Sequence, residues 1–193
     1  MNTNLKKNII WNIIGTTLNG FNSLFYMIII TRINGLQDAG LFSFAFSLAC
    51  LFFIIGTYAG KIYQVTDIHE QYNDCEYIVH KAITCLIMIG ISILYISFMQ
   101  FTTDKAIIIL LWCIMKTIEA FSEVFLAILQ KYGNLYQAGI SLTIKTVFSL
   151  LLFITIDILF NNIMYAIMAT NIVWLIIILS YDLPKVKKVY SRK

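Results

Sequence analysis

Lys116, Glu119 and Glu123 stand at i, i+3 and i+7 inside Lys105–Gln130, a run that is otherwise apolar and long enough to cross a bilayer. Each ionisable group costs on the order of 2.5–3.5 kcal/mol at mid-bilayer on insertion scales, so three on one span need a reason. Helical spacing puts them on one stripe with Trp112, Ala127 and Gln130. Such a stripe faces protein or water rather than lipid, and it marks a candidate path for a polar or charged solute. Pairing Lys116 with either glutamate leaves one carboxylate over, and that group must hold a proton or meet another cation. Lys145, flanked on its own helical face by Ser141 and Ser149, is the predicted partner. Glu119 and Glu123 are read as ion-coupling or gating groups.

A second polar series lies near the start of the chain. Asn8, Asn12, Gly15, Thr16, Asn19, Asn22 and Ser23 recur within about a third of a helix circumference, opposite Ile, Leu, Phe and Tyr. Amides and hydroxyls of this kind hydrogen-bond neighbouring helices, or they wall a hydrated cavity that offers polar contacts to a sugar-like solute. The length of the series favours the cavity. A third stripe, Ala45, Ala49, Gly56 and Gly60, is made of small residues and ends in a GxxxG, which lets another helix approach closely.

The elements that must carry these residues follow from composition. The chain has 193 residues, 60% hydrophobic and only 12% charged, with a single proline and a mean hydropathy of +0.81. A soluble domain carries about 25% charged residues, so the composition indicates an integral membrane protein. Six apolar runs fit a membrane span: 8–30, 39–60, 78–98, 105–130, 137–160 and 163–181. No alternating barrel pattern is present, and open strands cannot satisfy their backbone in lipid, so the predicted fold is all-α with six transmembrane helices. The first run lacks a small-residue cleavage site before Arg32 and reads as a retained helix, not a signal peptide. Pro184 is expected to stop the last helix, leaving 182–193 as a basic tail.

With the N-terminus inside, one side collects Lys6, Lys7, Lys61, Lys81, Lys131, Lys185, Lys187, Lys188, Arg192 and Lys193, and the other only Arg32 and Lys105. Ten against two places both termini in the cytoplasm. The tail's charge is accounted for by orientation, although it is also suited to anionic head groups. Asp67, His69, Glu70, Asp74, Cys75, Glu76 and His80 match no metal-ligand spacing and read as a solvated turn. The four cysteines form no CxxC, and no P-loop, GxSxG or HExxH is present, so neither an enzyme, a metal, a cofactor nor a nucleic-acid partner is expected.

The run Asn8-Ile-Ile-Trp-Asn-Ile-Ile-Gly15, followed by Ile30-Thr-Arg32-Ile-Asn-Gly35-Leu-Gln-Asp-Ala-Gly40-Leu-Phe-Ser-Phe-Ala45, resembles the start of bacterial O-antigen and polysaccharide-unit flippases. The stretch Gly56-Thr-Tyr-Ala-Gly60-Lys61-Ile-Tyr-Gln-Val-Thr-Asp67 is similar to their second helix and following loop, with Lys61 where an arginine is common. These proteins share a superfamily with multidrug and toxin extrusion transporters. The resemblance implies one six-helix lobe of a two-lobe transporter of the bacterial inner membrane. That transporter moves undecaprenyl-diphosphate-linked oligosaccharide units for surface polysaccharide and lipopolysaccharide synthesis. Its partner is then a missing C-terminal six-helix lobe or a second copy of the chain, beside membrane lipids. On this reading Arg32, Lys61, Lys116 and Lys145 neutralise the diphosphate, and Asn12, Thr16 and Asn19 bond the sugars. The competing readings are a drug or cation exporter of the same superfamily and a non-transporting remnant or scaffold.

Overall fold

The computed structural model describes residues 3–67 and 71–191. It is 90% helical, and no strand occurs among the described residues. Four helices are long and apolar enough to cross a membrane, or five if a bent pair counts as one. The chain is thus compatible with a multi-pass membrane protein.

The bent pair is α1 (Thr3–Gly20) and α2 (Asn22–Ile33), which turn by 40° at Phe21. The expected single first helix is therefore two, and Gly20, a poor helix former, sits at the bend. Gly35 turns the chain into α3 (Leu36–Thr57) with φ 94°, a conformation open to glycine. Tyr58 and Ala59, both left-handed, break α3 from the short α4 (Gly60–Thr66). Helix α5 (Asp74–Met99) starts on a capping box in which Asn73 and Glu76 satisfy each other's backbone N–H groups. Then follow α6 (Thr103–Lys131), α7 (Leu135–Phe160) and α8 (Ile163–Ile177).

Pro184 does not stop the last helix. The chain widens into a π turn over Ile178–Asp182 and continues as α9 (Leu183–Tyr190), with the proline in its first turn. A proline there lacks only an N–H that the helix start would leave unused. The expected tail is thus a helical extension as far as Tyr190, while Arg192 and Lys193 lie outside the described residues.

Helix α6 is the axis of the bundle. It packs against α3, α4, α5, α7, α8 and α9. Most of its residues from Ile108 to Leu129 are buried. Tyr26, Phe42, Phe46, Trp112 and Phe153 form an edge-to-face aromatic core, with Tyr26 at 5.3 Å from Trp112 and 4.8 Å from Phe153. The outer faces carry Leu86, Leu94, Phe98, Leu151 and Ile176 exposed, as lipid contact requires.

Small residues decide two close approaches. A Cβ on Gly56 would lie 2.7 Å from Met88 Sδ and 3.2 Å from Ala120, so α3 meets α5 and α6 there. Gly60, the other half of the expected GxxxG, stands beyond the break and belongs to no continuous helical face with Gly56. The tighter approach joins Gly15 of α1 to Gly139 of α7, where a Cβ on either would collide with the opposing backbone.

Candidate functional site

The charged stripe of α6 lies between α1 and α3. Lys116 Nζ pairs with Glu119 Oε2 at 2.7 Å and stands over the rings of Phe46 (4.8 Å) and Phe53 (5.1 Å) on α3. Asn19, in the last turn of α1, donates from Nδ2 to Glu119 Oε1 at 2.9 Å, and its own oxygen accepts from Thr146 on α7 at 3.5 Å. Lys116 and Glu119 keep 14% and 12% of their side-chain surface accessible. The pair is thus partly open, as a group that meets a solute must be.

One helical turn along, Glu123 pairs with Lys81 of α5 at 3.6 Å. Lys81 is 3% exposed and also donates to the carbonyls of Gly56 (3.4 Å) and Thr57 (3.0 Å), where α3 ends at its break. Those carbonyls have no helical continuation, and an ammonium satisfies them while meeting the negative end of the helix dipole. Thr84 donates to Gly56 as well. Lys61, half-buried on α4, adds positive field at Glu123. The cluster of Lys61, Lys81 and Lys116 against Glu119 and Glu123 sums to +3 − 2 = +1 when all five are ionised.

Lys145 does not belong to it. The predicted pairing with a glutamate of α6 gives way to Asp182, which Lys145 meets at 2.5 Å with both side chains fully buried. Ser141 donates to the other carboxylate oxygen at 2.6 Å, and Trp174 lies 5.3 Å beneath the ammonium. The two charges thus neutralise each other within an enclosed site. The sequence offered no sign of Asp182, which directly follows an apolar run and is 37 positions away. Lys81, counted above with the cytoplasmic charges, stands about one turn inside the run 78–98, and that position is the signal of its buried role.

The polar series of the first run divides. Asn8 donates to Gly133 O in the α6–α7 connection and accepts from Tyr136 N in the first turn of α7, and Thr16 bonds its own helix at Asn12 O. Gly15 serves close packing, and Asn22 is buried behind the bend. Only Asn19 of the three predicted sugar-contacting residues reaches the charged cluster; Asn12 is half-buried and Thr16 exposed. Arg32 is exposed in the last turn of α2, at the far end of the bundle from α9. Among the described residues no ion pair includes Arg32 or Lys61.

Two further buried polar groups escaped sequence reading. Asn34 donates to Asp157 Oδ1 at 3.1 Å, yet Asn34 Oδ1 and Asp157 Oδ2 are both buried without a partner. Among the described residues of the acidic segment after α4, two carboxylates make specific contacts. Asp67 accepts from Gln71 N, Tyr72 N and Tyr77 Oη, while Tyr132 Oη donates to Asp74. The Gln71 amide, then the Tyr77 hydroxyl, hold the Asp67 carboxyl below its ordinary range. His69 and Glu70 lie outside the described residues.

Comparison with family models, curated proteins and solved structures gives no match to this chain.

Proposed function

We propose that the chain is a six-span lobe of a transporter for lipid-linked oligosaccharides, with α6 as the charged fourth span and both termini cytoplasmic. The observation that carries the reading is the cluster between α1 and α3. It holds a surplus of one positive charge, a partly open Lys116–Glu119 pair, and an amide from Asn19. A diphosphate entering beside it would draw Lys61 and Lys116, and Glu119, released by Lys116, would need a proton or a cation. Anion binding and ion coupling are thus linked by charge balance at one place.

The resemblance of the first two spans to polysaccharide-unit flippases supports this class of substrate, and the positive-inside bias supports the orientation. Drug or cation export fits less well, because both carboxylates are already engaged by lysines. Of the four cations expected to neutralise the diphosphate, Lys61 and Lys116 belong to this cluster, whereas Lys145 is engaged by Asp182. Arg32, at the opposite end, suits the exit side of such a path.

The test is export of lipid-linked units in cells that produce them, following surface polysaccharide and protected units. Lys61→Gln combined with Lys116→Gln should lower export by about tenfold or more, from the loss of two charge-assisted contacts. Asn12→Ala should leave export near normal. Unchanged export in the double variant would exclude the assigned role.

A further inference from the structure

Helix α9 and the α6–α7 connection enclose a cleft of about 510 Å³ at the end of the bundle where α1 begins. Lys185 and Lys188, one turn apart on α9, line one wall. Asn134, Tyr136 and Gln137 line the other, and no acidic residue is among the lining. Lys7 of α1 stands 4.3 Å over the Tyr136 ring and adds a third cation at the rim. The Tyr136 hydroxyl accepts from Gln137 Nε2 at 2.9 Å, which leaves its own O–H to donate.

A basic run is ordinarily a solvated face, and orientation alone would account for its charge. Here the π turn and Pro184 carry the run on as helix, and the buried Lys145–Asp182 pair fixes its root. Two ammonium groups are thereby held facing amide and hydroxyl donors across a cavity. Cations with neutral donors and no competing carboxylate are the chemistry that recognises phosphate. The cleft also sits beside the continuation of an apolar helix, at the end of the candidate membrane span Ile163–Tyr190.

We propose that this cleft binds a phosphate-bearing ligand, the phosphate of an anionic lipid head group or of a soluble phosphate compound. It is separate from the α6 cluster and does not depend on transport.

The test uses the full chain in phosphatidylcholine vesicles containing spin-labelled phosphatidic acid, with the protein-associated fraction read by electron paramagnetic resonance. Lys185→Gln with Lys188→Gln should lower the relative association constant by roughly tenfold. Lys187→Gln removes the same unit charge from the same helix but does not line the cleft, and should change it by less than about twofold. Inorganic pyrophosphate separates the sources. Displacement of the label by pyrophosphate, lost in the double variant, assigns the cleft to soluble phosphate as well; no displacement assigns it to head groups. No loss in the double variant, or an equal loss per charge in Lys187→Gln, overturns the proposal. All three lysines lie at the surface of α9, and circular dichroism checks that helix content is retained.

Discussion

Buried polar atoms in this chain differ sharply in how well they are satisfied, and single substitutions should expose the difference. Lys145 and Asp182 are fully enclosed and complete each other. Removing one leaves an uncompensated charge, so Lys145→Ala should destabilise by about 3–5 kcal/mol. Lys145→Met combined with Asp182→Leu should recover most of that loss in thermal melts of the detergent-solubilised protein. If the double variant is as unstable as the single, the pair has a role other than mutual neutralisation. Asp157 is the opposite case, with one oxygen unmatched beside the unmatched oxygen of Asn34. Asp157→Asn supplies a donor, and a reciprocal amide pair should raise stability by about 0.5–1.5 kcal/mol. Asp157→Ala should lower it, because the Asn34 amide then loses its acceptor.

At the scale of elements, the approach of α1 to α7 rests on two glycines. Gly139→Val should separate these helices and abolish a disulfide cross-link engineered between Asn12 and Thr143, while leaving helix content intact. The segment after α4 should respond to acid. Because hydrogen bonds lower the Asp67 pKa, its stabilisation is complete above the ordinary value of 3.8 and fades as pH falls through the lower folded value. Amide exchange at Gln71 and Tyr72 should therefore accelerate only below about pH 4, and in Asp67→Asn it should be fast throughout. The apolar runs were legible in sequence because lipid demands length and hydropathy, and each overlaps observed helix, although 8–30 is split at Phe21 and α3 and α8 end a few residues short of the expected limits. The breaks were not legible. Tyr58–Ala59 and the π turn at Ile178–Asp182 involve residues with no strong local preference for a break, and the tertiary partners Lys81 and Lys145 bond beside them. Within the charged stripe, the Lys116–Glu119 contact was readable because both groups share a helix. The partners of Glu123 and Lys145 were not, since pairing across 37 or more positions leaves no period to follow.

The molecule as a whole carries its own reporters. Cys75 is exposed at the end of the bundle shared by α1 and α9, whereas Cys85 and Cys113 are buried. With that end in the cytoplasm, a membrane-impermeant maleimide should label Cys75 in inside-out vesicles and not in intact cells. The reverse pattern would invert the proposed orientation. Cys50 is half-buried on α3, close enough to Lys116 and Glu119 to interact with their charges. It should react slowly with a small maleimide if the region between α1 and α3 is hydrated, and Lys116→Met should suppress that reaction by drying it.

Lys81 has one ammonium and two obligations. It holds Glu123 of the charged stripe, and it holds the two carbonyls at which α3 breaks. Whatever draws Glu123 away, a proton or a competing cation, leaves Lys81 closer to the carbonyls and the break more firmly set. Whatever draws Lys81 toward the stripe leaves the Thr57 carbonyl without its donor and the Gly56 carbonyl with Thr84 alone. One flexible side chain in this way ties the charge of a carboxylate to the end of a helix.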